Sequence, residues 1–114
     1  MLNRKYTGHA RVHCTNPDLY YGTKPRPVLI LQQDAFSETD SVTVVFITTY
    51  QVNAPLLRIP LPATAENGLH SDSFLMIDKV TTVRRSHLGE TLGKVPPSVM
   101  TAVERAVAVF LGIA

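Results

Sequence analysis

SVTVVFIT, residues 41–48, is rich in β-branched side chains and bounded by polar residues, so it reads as a strand. Upstream, VLIL (28–31) is an unbroken aliphatic run, too short for a helix and suited to a strand covered on both faces. The polar QQDAFSETD between them supplies turn residues. These two runs are expected to form the central strands of a sheet.

Outward on the N-terminal side, ARVHCT (10–15) alternates weakly and is expected to be a first strand, whereas NPDLYYGTKPRP (16–27) is dense in turn residues and reads as a long loop. Loops of that length tend to carry function. On the C-terminal side, LLRIPLPA (56–63) contains Pro60 and Pro62, which lack ladder donors. It is expected at a sheet edge with its prolines outward. ENGLHSD makes a turn, SFLMIDKVTTV (73–83) resumes an extended pattern, and HLGETLGKV (87–95) adds a short strand between glycines. Then the period changes. Val99, Val103, Ala106, Val107, Phe110 and Leu111 recur at helical spacing after Pro96, Pro97 and Ser98, with Gly112 beyond them. Five to seven short strands and one long C-terminal helix make a mainly β fold, a small curled sheet or barrel with the helix packed outside.

A chain of 114 residues with 45% hydrophobic content suffices for one compact domain, and residues 1–114 are read as one. The net charge of +2 is too small to announce a nucleic-acid binder, yet up to Gln33 five cations (Arg4, Lys5, Arg11, Lys24, Arg26) face only Asp18. The single cysteine, Cys14, excludes an intramolecular disulfide and fits a reducing compartment. No apolar run approaches the length of a membrane span, and MLNRKYTGHA lacks the apolar core of a signal peptide. The expectation is a soluble cytoplasmic protein.

KPRPVLIL (24–31) sets a permanently charged arginine at the mouth of an aliphatic strand. The guanidinium of Arg26 presents a planar fork of donors suited to carboxylate or phosphate, so it is either paired, with Asp78 or Asp72 as natural partners, or placed to receive an anion. His9, His13 and Cys14 in HARVHC are metal-capable, and alternation would set both histidines on one strand face. A zinc site needs three or four convergent ligands, and no second cluster accompanies them. No metal or other cofactor is expected. His70 and His87 fall in predicted turns and are read as solvated.

Taken in order and spacing, RPVLIL (26–31), FITTYQ (46–51), NGLHSDSFLMIDKVTTV (67–83), LGETLGKVP (88–96) and PSVMTAVERAVAVFLGI (97–113) resemble the MazF/PemK family of toxin–antitoxin growth inhibitors. The resemblance implies an SH3-like β-barrel with helices, a homodimer, and metal-independent, sequence-selective cleavage of single-stranded RNA restrained by a cognate antitoxin. It also implies that Arg26 of the RP motif and Thr48 of the ITT motif act at the scissile phosphate. Asp78 stands where some relatives place an aspartate near the site. One departure is plain: relatives often carry a glutamate five residues before the arginine, and here that position is Tyr21. A tyrosine with a pKa of about 10 is a poor general base near neutrality. His9 or His13 would serve in its place if the first strand borders the loop.

Such a reaction needs the 2'-hydroxyl to attack its neighbouring phosphate while charge builds on phosphate oxygens. A bidentate arginine and a hydroxyl donor answer that need. Single-stranded RNA is also recognised by stacking bases on aromatic rings. Tyr20, Tyr21, Lys24, Thr49 and Tyr50 are the residues expected to hold it, with Asp78 beside them. Taken singly, each tyrosine fits a barrel-mouth cover equally well, and Asp78 fits a turn or hydrogen-bonding role. The absent glutamate leaves two other functions open: a non-catalytic toxin of the same fold that binds a protein target such as gyrase, and a dimer retained only for partner binding.

Overall fold

The computed structural model describes residues 9–15 and 25–114. Six strands form one antiparallel sheet: β1 (Arg11–Thr15), β2 (Pro27–Ile30), β3 (Ser41–Thr48), β4 (Arg58–Leu61), β5 (Ser73–Arg84) and β6 (Leu88–Lys94). Among the described residues there is one α-helix, α1 (Pro97–Phe110), which follows β6. Across the sheet the order is β4-β5-β3-β2-β1-β6. The two aliphatic runs thus lie at its centre, as their composition requires.

Strand β3 buries side chains on both faces. Val45 and Ile47 join Val12, Leu29, Leu61, Leu75, Ile77 and Val95 beneath Met100 and Val103 of the helix. Val42, Val44 and Phe46 join Val28, Ile30 and Val83 on the opposite face. Burying such aliphatic side chains stabilises the fold by about 1.5–3 kcal/mol each, and two-sided burial fixes the register, because a one-residue slip would exchange the faces.

β4 lies at one edge with Pro60 and Pro62 exposed, as a strand lacking those ladder donors must. β6 lies at the other edge and is longer than the sequence suggests, for Gly89 and Gly93 fall inside it. Gly93 is required there: a Cβ would come within 2.1 Å of the Glu66 carbonyl oxygen, because the 64–68 turn packs against the strand. Among the described residues the two edges are not joined, so the expected barrel is a bent, open sheet.

Irregularities supply the bend. The β3–β5 register runs regularly from Ser41↔Arg84 to Val45↔Val80, then resumes at Ile47↔Leu75, so four β5 residues, Met76–Lys79, stand opposite Phe46. Register also shifts twice between β1 and β6.

The helix begins at Pro97, its first residue, where the missing N–H costs nothing. It ends before Gly112, whose φ of +77° suits glycine. Val99, Ala106 and Val107 pack on the core as the spacing predicts. Phe110 and Leu111 do not, being 46% and 56% exposed, because the last turn runs past the sheet.

Candidate functional site

Arg26 precedes β2, where Val28 pairs with Phe46 of β3. Continuing that register by two residues sets Arg26 across from Thr48, and Thr48 in turn pairs with Phe74 of β5. Local chemistry fixes the ends of this row. The Arg26 N–H donates to Thr15 Oγ1 at 3.0 Å, and the Arg26 carbonyl accepts from the Thr15 N–H at 2.8 Å. Thr48 ends β3 with its hydroxyl oxygen accepting the Tyr50 N–H at 3.1 Å, a side-chain turn that leaves the hydroxyl proton to donate elsewhere.

Two adjoining cavities of about 260 Å³ each share Arg26. One is lined by Pro25, Arg26, Pro27, Ile47, Thr48, Thr49 and Ser73. The other is lined by Arg26, Phe46, Met76 and Lys79. Arg26, Thr48 and Thr49 therefore come together as the sequence suggests. Lys79, Phe46, Met76 and Ser73 were missed, and the four-residue bulge of β5 opposite Phe46 explains two of them: Met76 and Lys79 are its ends, and regular alternation does not foretell a bulge.

Tyr50 is exposed beside this cleft without lining it. Tyr20, Tyr21 and Lys24 lie outside the described residues.

Asp78 is neither in a turn nor set in the cleft. It sits within the β5 bulge, ion-paired with Arg58 Nη1 of the edge strand and 4.0 Å from Lys79 Nζ. Arg58 also donates to the Leu57 carbonyl oxygen at 3.0 Å, while the Ile77 N–H donates to that same carbonyl at 2.9 Å. The pair thus pins β4 to the bend. The other acid considered for Arg26, Asp72, accepts the Ala63 N–H at 2.8 Å.

Neither His9 nor His13 lines the two cavities that share Arg26. His13 is fully buried, with Nδ1 3.2 Å from the Gly89 carbonyl oxygen and Nε2 3.4 Å from Thr91 Oγ1. Burial lowers its pKa below the usual histidine range, and Arg11 lowers it further against the opposing pull of the Gly89 hydrogen bond. A neutral ring donating from Nδ1 and accepting at Nε2 satisfies both contacts. His9 is not on the strand at all: it lies in a turn ahead of β1, its ring between the Leu31 carbonyl and Glu104. Cys14 is half-buried, and burial, then Glu90, raise its thiol pKa. Among the described residues no group of three or more His, Cys, Asp or Glu is arranged to hold a metal ion. His70 is exposed in a turn as expected, whereas His87 is half-buried at the end of a short 3-10 turn.

A bent antiparallel sheet with one terminal helix, with an arginine and a strand-end threonine lining one cleft at its mouth, defines a small mainly β protein. The chain belongs to the PemK-like, MazF-like toxin family of type II toxin–antitoxin systems, whose model matches residues 12–111. It is 54% identical over 94 residues to a probable endoribonuclease MazF of Mycolicibacterium smegmatis, covering 82% of this chain and 86% of that one. It is 33% identical over 86 residues to endoribonuclease MazF6 of Mycobacterium tuberculosis, covering 72% and 74%.

Among solved structures, the Mycobacterium tuberculosis toxin MazF-mt6 superposes with a TM-score of 0.76 at 28% identity, covering 91% of this chain and 98% of that one. A mycobacterial endoribonuclease solved with its cognate antitoxin gives 0.76 at 26% identity, covering 96% and 97%. Among the described residues no helix is long and apolar enough to cross a membrane.

Proposed function

We propose that this protein is a cytoplasmic endoribonuclease toxin, one domain over residues 1–114, that cleaves single-stranded RNA at selected sequences without a metal ion. The observation that carries this reading is the shared cleft of Arg26 and Thr48. A scissile phosphate seated there meets two Arg26 donors and the Thr48 hydroxyl. Attack by the 2'-oxygen, whose proton passes to solvent water, forms a bond to phosphorus, negative charge grows on the phosphate oxygens those donors face, and the bond to the 5'-oxygen breaks as that oxygen takes a proton from water. The products are a 2',3'-cyclic phosphate and a 5'-hydroxyl. Preorganised donors of this kind are worth about a hundredfold or more in rate.

Lys79, lining the adjoining cavity, adds a second cation for a neighbouring phosphate. Thr49 and the exposed Tyr50 flank the entrance, and Tyr50 offers a ring on which a base can stack. Asp78 acts here as a strut for the bend. The names borne by the relatives support RNA cleavage over the binding of a protein target.

The protein is further proposed to act as a homodimer, since Phe110 and Leu111 expose apolar surface at the helix end. A cognate antitoxin, as one structural relative has, would lay an acidic segment across the electropositive cleft. The test is incubation of purified protein with mixed-sequence single-stranded RNA in EDTA. Fragments with 5'-hydroxyl ends at a limited set of sites are expected; RNA left intact refutes the enzyme, and cutting abolished by EDTA refutes the metal-free mechanism.

A further inference from the structure

We infer that Thr15 is a positioning residue for Arg26, an inference that rests on the endoribonuclease reading. The two residues exchange two hydrogen bonds: Thr15 N–H to the Arg26 carbonyl at 2.8 Å, and Arg26 N–H to Thr15 Oγ1 at 3.0 Å. The second is unusual for a sheet. β1 and β2 pair regularly through Cys14↔Pro27, and the next rung closes on a side-chain oxygen.

The reason lies on the far side of β1. Its register with β6 slips between His13 and Thr15, and such a bulge re-aims the side chain that follows it. Thr15 is 5% exposed, so its hydroxyl has few partners to choose from.

The function of the clamp follows from where Arg26 stands. It lies one residue outside β2, and Pro25 before it has no N–H to give. Thr15 therefore holds the Arg26 backbone at both its N–H and its carbonyl, and Arg26 lines the cleft shared with Thr48. A preorganised donor fork works only while its Cα stays in place, since a displacement of about 1 Å can cost on the order of a hundredfold in rate.

The test compares Thr15→Val, Thr15→Ala and Thr15→Ser in cleavage of mixed-sequence single-stranded RNA, alone and in an Arg26→Ala background, beside thermal melts. Thr15→Val preserves shape without the acceptor. It should lower kcat about ten- to a hundredfold with KM little changed. Thr15→Ser should recover activity to within a few-fold. In the Arg26→Ala background Thr15→Val should cost nothing further, because the residue it positions is gone.

If Thr15→Val does not fold, Thr15→Ala carries the same expectation with less bulk. An equal loss in both backgrounds, or no loss in the folded variant, overturns the inference. A wild type that cuts no RNA overturns the proposed function itself, whereas a cutting wild type indifferent to the hydroxyl overturns only the role of Thr15.

Discussion

Asp78 can be judged by taking its ion pair apart from both ends. The Arg58 and Asp78 side chains are 13% and 23% exposed, so the pair is largely withdrawn from water. Two unit charges about 4 Å apart attract by roughly 4 kcal/mol at an effective dielectric of 20, and residual exposure together with desolvation reduces the net effect. Removing one partner is therefore expected to cost about 2–3 kcal/mol, or roughly 8–12 °C in Tm for a chain of this length.

The two ends should not be equal. Arg58→Met leaves Asp78 with Lys79 at 4.0 Å, whereas Asp78→Leu strands a buried guanidinium whose Nε already has no partner. Asp78→Leu should be the more damaging. The double variant Arg58→Met/Asp78→Leu should melt above Asp78→Leu alone, since no unpaired charge remains. The assay is a thermal melt of the four proteins, with RNA cleavage measured on each. If Asp78→Leu melts like wild type but does not cut, or if the double variant regains stability without regaining cleavage, the carboxylate serves the substrate and the strut argument is wrong.

Three further outcomes are expected. Arg26→Lys should lose nearly as much cleavage as Arg26→Ala, because lysine keeps the charge and loses the planar fork, while both melt like wild type; normal cutting by either variant makes the arginine a structural residue. Because the folded-state pKa of His13 is lowered, the unfolded chain takes up the proton first, and stability should fall as pH drops below about 6.5 and continue falling until the buried ring is itself protonated. Melts at pH 7.5 and 5.5 should show His13→Asn less sensitive to acid than wild type; equal sensitivity assigns the loss to other groups. Phe110→Glu should shift sedimentation equilibrium at micromolar concentration from dimer toward monomer, and a wild type found only as monomer ends the dimer proposal.

Much of the fold was legible because burial leaves a period in the sequence. β3 begins and ends where its β-branched run does, and Pro60 and Pro62 marked β4 as an edge before any neighbour was known. The helix was legible at Val99, Val103, Ala106 and Val107 but not at Phe110 and Leu111, since periodicity records which residues are apolar and not where the sheet beneath them stops. Arg26 and Thr48 were singled out by their motifs, and continuing the β2–β3 register sets them opposite one another. Asp78 was set near the site only by its motif, and its alternative reading as a hydrogen-bonding residue is the one its ion pair with Arg58 matches. Its partner, Arg58, lies twenty residues away on another strand, and the β4–β5 register, which pairs Arg58 with Met76, brings the two within reach.

What the sequence concealed shares one physical cause. A regular antiparallel ladder consumes backbone donors and acceptors in pairs and points side chains alternately up and down, so it offers a ligand little at its rim. This cleft is built where the ladder departs from that rule. Thr15 turns its hydroxyl onto a backbone N–H beside a register slip, Thr48 does the same two strands over at the end of β3, and the Met76–Lys79 bulge sets a thioether and an ammonium in one cavity with Arg26. In the two threonine cases a hydroxyl oxygen accepts an N–H that the sheet no longer occupies, and the strand end is made rigid by it. The chemistry proposed for the site thus depends on residues whose identity looks unremarkable in sequence. A threonine in a strand is ordinary, and it becomes consequential only at the rung where the ladder stops.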